Sequence, residues 1–188
     1  MTINKTEGGN GAWNNHAINF TSNVEMESVT VNNSVAVGAD ASFKDVDFVE
    51  NGEYYTLWIK NNVENVTVDG CTFTATEENG RGIKIADQYV DEADQIKTNL
   101  TVKNSTFKTA KKAAILVTSK KGADITADKN DITGVNADST SLVWLDSDCA
   151  DYVETVKVYD ENGNIAESAL KVEDGAVVTY TSGSMRRA

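Results

Sequence analysis

Four short apolar segments carry the side chains best suited to bind something: Leu57-Trp58-Ile59, Ile83-Lys84-Ile85, Ile115-Leu116-Val117 and residues 142–145. In a strand the middle residue of each triplet points away from its neighbours. The outward column then reads Trp58, Lys84, Leu116 and either Val143 or Trp144, with Tyr54 and Tyr55 entering the first segment. Aromatic and aliphatic groups in a row need a cover or a partner. Aromatic platforms stack on sugar rings, so a glycan or a protein is the partner expected for Trp58, Tyr54, Tyr55, Lys84, Leu116 and Trp144.

Charged groups cluster in the same stretch. Arg81 is the sole arginine before Arg186, and Arg81-Gly82-Ile83-Lys84 sets it just ahead of a strand whose Lys84 points outward. The longest insertion, residues 87–98, follows and contains Asp87, Asp91, Glu92 and Asp94. Calcium would need about six to eight oxygen ligands converging on one point, and these acids show no ordered ligand spacing. The only histidine, His16, lies far from Arg81 in sequence and reads as a surface or cap residue several turns away. No Ser-His-Asp set, phosphate-cradling glycine loop or Cys/His metal spacing occurs.

These positions are ordered by a repeat. Apolar side chains recur at a start and two, five and seven residues later in Val24/Met26/Val29/Val31, Ala41/Phe43/Val46/Phe48 and Val66/Val68/Cys71/Phe73. Leu100/Val102/Ser105/Phe107 and Ile125/Ala127/Asn130/Ile132 continue the series, with starts 17, 25, 34 and 25 residues apart. Variable connections between constant units mark a solenoid. Each unit reads as two short strands meeting at a two-residue corner such as Asp69-Gly70 or Lys103-Asn104, where turn-tolerant residues sit. The triplets above supply a third strand per turn.

Asn65 to Phe73 (NVTVDGCTF) and Asn99 to Phe107 (NLTVKNSTF) resemble repeats of the pectin-lyase-like β-helix superfamily. The resemblance implies an all-β fold, a right-handed, single-stranded parallel β-helix of about six to seven turns with N- and C-terminal caps. Polysaccharide lyases of that fold pair an Arg or Lys base with a calcium-binding Asp cluster. By that similarity Arg81 and Lys84 would be catalytic, and Asp87, Asp91, Glu92 and Asp94 would hold the metal. Adhesins and phage spikes share these repeats, so the fold does not choose among activities.

One domain of 188 residues is expected, with residues 1–17 as an N-terminal cover around Gly8-Gly9-Asn10-Gly11 and residues 18–158 as turns. Residues 159–182 form the C-terminal cap, and 183–188 a disordered tail. Asp151/Val153/Val156/Val158 and Leu170/Val172/Gly175/Val177 keep the spacing weakly, as further turns or a hairpin. The absence of proline suits ladders that need every N–H. A net charge of −12 argues against nucleic acid and anionic membranes, and no apolar run reaches a membrane span. Cys71 reads as a small buried thiol. The outward columns Glu25, Ser42, Thr67, Thr101, Thr126 and Thr30, Asp47, Thr72, Thr106, Asp131 read as solvated β faces.

The chain is short for an enzyme of this fold. The expectation is therefore a non-enzymatic, adhesin-like surface module, extracellular or at the cell surface, that binds a glycan or protein through the third-strand face without a cofactor. A calcium-dependent lyase-like enzyme or degenerate relative is the alternative, and a structural spacer of a surface or phage-fibre protein is a second.

Overall fold

The computed structural model describes residues 1–4, 16–49, 55–75, 80–87, 89–109, 114–132, 143–145, 156–159, 162, 170–172, 177–179 and 185–187. The chain first forms β1 (Thr2–Asn4), β2 (Ile18–Phe20), β3 (Val24–Glu27), β4 (Thr30–Asn32), β5 (Val35–Val37), β6 (Ala41–Lys44) and β7 (Asp47–Val49). There follow β8 (Tyr55–Ile59), β9 (Asn65–Asp69), β10 (Thr72–Ala75), β11 (Arg81–Ile85), β12 (Thr98–Lys103), β13 (Thr106–Thr109) and β14 (Ile115–Val117). The last are β15 (Ala123–Asp128), β16 (Asp131–Ile132), β17 (Val143–Leu145), β18 (Val156–Tyr159), β19 (Leu170–Val172), β20 (Val177–Thr179) and β21 (Met185–Arg187).

Three parallel sheets contain all but the final two strands. Sheet A runs β1-β4-β7-β10-β13-β16, sheet B runs β2-β5-β8-β11-β14-β17-β19 and sheet C runs β3-β6-β9-β12-β15-β18. From β1 to β18 successive strands therefore enter A, B and C in strict rotation, a connectivity compatible with a parallel β-helix. The repeat read from the sequence is the pairing register. Val24, Ala41, Val66, Leu100 and Ile125 stand over one another in sheet C, and Phe48, Phe73 and Phe107 do so in sheet A.

Stacking identical positions gives the core its shape. The Phe48 and Phe73 rings lie 4.8 Å apart and 5° from parallel, and Phe73 and Phe107 lie 4.7 Å apart at 4°. Phe43 meets Phe48 edge-on at 5.3 Å. All four are fully buried, each contributing about 1.5–3 kcal/mol of apolar transfer energy. The two-residue corners are left-handed in five successive rungs: Ser28, Asp45, Gly70, Asn104 and Lys129 carry φ of 55°, 52°, 65°, 51° and 51°. Four of these N–H groups donate to the next rung, Ser28 N to Lys44 O, Asp45 N to Asp69 O, Gly70 N to Lys103 O and Asn104 N to Asp128 O. The corner ladder thus satisfies groups that a bend would otherwise orphan.

Sheet B departs from simple alternation. Leu57 and Ile59 lie in the core, whereas Tyr55 and Trp58 join a separate outer cluster with Ala36. The skip is mirrored on the neighbouring strand at Gly82, where a Cβ would come within 2.6 Å of Phe107 Cδ1. Thr56 Oγ1 donates to Gly82 O at 2.7 Å and ties the two irregular rungs together. As a result Tyr55 reaches the outer side three residues before Trp58.

Paired strands also lie near both ends of the chain. Thr2–Asn4 pairs with β4 as the first strand of sheet A, so part of the expected N-terminal cover is a rung. Val158 pairs with Ile125, which makes Val158 and not Asp151 the start of its unit. Leu170–Val172, expected within the cap, pairs with β17 in sheet B. The expected tail contributes Met185–Arg187 to an antiparallel pair with Val177–Thr179. Gly8 to Gly11 and Cys149 lie outside the described residues.

Candidate functional site

Pairing resolves the third-strand column as Asn19, Ala36, Trp58, Lys84, Leu116, Trp144 and Lys171, so Trp144 and not Val143 stands over Leu116. Tyr54 lies outside the described residues, and of Trp144 only the backbone register is described. The column is exposed at Asn19 and covered around Trp58. Trp58 retains 9% of its surface, Tyr55 and Leu116 6% each, and Ala36 none.

Part of the cover comes from His16. Its ring centroid lies 5.5 Å from that of Trp58 and 6.1 Å from that of Tyr55, and its Nδ1 is hydrogen-bonded to Ser34 Oγ at 2.8 Å. His16 precedes β2 and Arg81 opens β11, three strands further along sheet B, so the two stay several turns apart while His16 reaches Tyr55 and Trp58 on β8. Coiling brings residues distant in sequence to within two rungs of each other.

Two ammonium groups complete the surroundings of the indole. Lys60 Nζ and Lys84 Nζ each lie 5.6 Å from the Trp58 ring centre, and Lys84 lies 5.7 Å from that of Tyr55. Such contacts contribute about 0.5–1 kcal/mol at exposed sites. Lys60 also donates to Asn19 Oδ1 at 2.8 Å, and Trp58 Nε1 donates to Ala86 O at 3.1 Å. The polar edge of the indole is therefore satisfied internally, as burial requires.

The acidic insertion is held as a compact loop around Gln95. This side chain, 4% exposed, donates to Asp87 O and Val90 O at 3.2 and 2.9 Å and accepts from Lys120 N at 2.8 Å. Asp87 Oδ1 accepts Tyr89 N at 3.1 Å, and a short 3₁₀ turn spans Glu92–Asp94. Glu92 pairs with Lys121 at 2.6 Å, a hydrogen bond that holds its carboxyl below the ordinary range. The Asp87 side chain thus serves a turn and that of Glu92 an ion pair. Among the described residues no three His, Cys, Asp or Glu side chains converge on a metal position.

A second surface escaped the sequence reading. Sheet C bears a trough of about 400 Å³ whose polar lining is Asn23, Glu25, Asp40, Ser42, Asn65 and Thr67. The residue before each unit's first apolar position is Asn23, Asp40, Asn65, Asn99 or Asp124, without exception through five units. That column was the available signal. Asp40 accepts Asn65 N at 2.8 Å, Asn65 Nδ2 at 3.1 Å and Glu64 N at 3.2 Å, and these bonds, the Asn65 N–H foremost, lower its pKa. Asn99 Nδ2 in turn donates to Asn65 Oδ1 at 3.3 Å. The trough has a polar edge whose amides are oriented by one another.

Comparison with known protein families, with characterised proteins and with solved structures finds no match to this chain.

Proposed function

We propose that the chain is a right-handed, single-stranded parallel β-helix, with six to seven turns following from the strand numbers of its sheets. In this reading its repeats are akin to those of the pectin-lyase-like superfamily. It acts as a non-enzymatic module of an extracellular or surface-exposed protein, a rigid spacer whose aromatic face is a seal. The burial of Trp58 to 9% under His16, Lys60 and Lys84 carries this reading, since a spacer has no use for an open aromatic platform.

The bracket of lysines supports a second reading, in which the same face binds a glycan or protein once the cover moves aside. Cations beside an indole are also how a site would greet an acidic or hydroxylated partner. The two are separated by screening wild type and Trp58→Ala on glycan arrays and host surfaces while following their melting temperatures. The spacer reading predicts no wild-type binding assigned to this face and a lowered melting temperature in the variant. Binding that disappears in a folded Trp58→Ala protein would replace it with the second reading.

A further inference from the structure

The trough on sheet C stands on a different sheet from Trp58 and owes nothing to the aromatic seal. We propose that it is a binding track for a linear, uncharged glycan lying across the rungs. Its volume of about 400 Å³ falls in the ordinary range for small-ligand sites, roughly 300–1,000 Å³. Its lining differs from an ordinary apolar pocket: two carboxylates, two hydroxyls and two amides are the complement of a polyhydroxylated ligand, with Val24 and Ala41 as the apolar remainder.

Charge selects among ligands. Glu25 and Asp40 oppose an anionic group, and the chain's net charge of −12 reinforces them. A divalent cation finds no set of three ligating side chains among the described residues. Sugar hydroxyls can donate to the carboxylates and accept from the amides, and bridging water can fill imperfect contacts.

Two of the polar groups, Asp40 and Asn65, are also held before any ligand arrives. Asp40 is held by three N–H bonds and Asn65 lies between Asp40 and Asn99, so little rotamer freedom remains to be lost on binding. Register extends the same chemistry beyond the trough: Thr67 stands over Ser42, Thr101 over Thr67 and Thr126 over Thr101. Rungs advance by about 4.8 Å, close to the advance per residue of an extended sugar chain. Successive rungs from Ser42 onward would therefore each offer the chain a hydroxyl.

The test is a titration of isotope-labelled protein with cellohexaose, xylohexaose and chitohexaose, followed by amide chemical shifts, with hexagalacturonate as the anionic comparison. At least one neutral hexamer is expected to shift residues 23–25, 40–42 and 65–67 saturably. Thr67→Arg and Glu25→Lys, both at exposed outward positions away from the Asp40–Asn65 bonds, should each weaken that binding by about tenfold or more with the fold intact. The proposal is overturned if no neutral hexamer shifts these residues at concentrations up to about 10 mM. It is equally overturned if both variants bind like wild type, or if hexagalacturonate binds the trough more tightly than the neutral chains.

Discussion

Gly70 turns left-handed, with φ of +65°, directly against the Asp45 carboxylate, and a Cβ at residue 70 would overlap Asp45 Oδ1. Two constraints meet there. Other corners tolerate Ser, Asp, Asn or Lys at the same φ, so the conformation alone does not demand glycine. The exposed Asp45 carboxylate would in addition have to turn aside for any side chain there. Gly70→Ala should lose about 1–3 kcal/mol in urea unfolding through strain and overlap. Gly70→Asn should cost less in an Asp45→Gly background than in wild type, and equal costs would show that the carboxylate is not the obstacle.

Phe73 is the middle ring of the Phe48–Phe73–Phe107 stack and has no exposed surface. Phe73→Ala removes contacts to both neighbours and opens a cavity in a closed rung. The expected loss is about 3–5 kcal/mol, with Phe73→Leu losing less. Matching denaturation midpoints for wild type and Phe73→Ala would contradict the packing described.

Cys71 is 1% exposed and burial pushes its thiol up to about 11. In a Cys149→Ser protein it should stay unreactive toward Ellman's reagent at mildly alkaline pH until denaturant is added. Cys71→Ser should change stability by no more than about 1 kcal/mol. The reason is the next rung, where Ser105 Oγ donates to Lys103 O at 2.8 Å from the equivalent position, as Cys71 Sγ approaches Asp69 O at 3.5 Å.

The inward pattern was legible because parallel stacking forces like residues onto like, and for the five units from Val24 to Ile132 the two-five-seven spacing became the register of sheets A and C, whereas the next unit starts at Val158 and not at Asp151. The outer face of sheet B was not. Alternation predicts which way Trp58 points but not what lies over it, and the skip at Thr56 and Gly82 that turns Tyr55 outward leaves only a glycine as its trace. His16 and Trp58 are brought together by coiling across three strands of sheet B, an association with no local signature. The Asn/Asp column of sheet C was visible in the sequence, but its residues also favour turns, and turn chemistry accounts for each of them singly.

Asn104 Nδ2 donates to Asp69 Oδ1 at 2.8 Å, and this bond, ahead of the contact with Lys103, holds the Asp69 carboxyl below its ordinary 3.8. Asp40 and Glu92 are shifted the same way. A carboxyl whose folded pKa is depressed adds stability that is complete above the unfolded value and is lost as pH falls through the folded one. Stability should therefore fall below about pH 4. Asn104→Gly keeps the left-handed corner and removes the amide, so carboxyl NMR titration should find the Asp69 pKa raised toward its ordinary value. An unchanged titration would assign the shift to Lys103 instead.

The sealing of Trp58 is tested most directly by acrylamide quenching of indole fluorescence in a Trp13→Phe, Trp144→Phe protein, where Trp58 is the sole tryptophan. The buried ring should be quenched weakly in the folded state, more strongly after His16→Ala, and fully only on unfolding. Quenching of the folded protein at the rate of a free indole would contradict the seal and return the face to the role of an open binding platform.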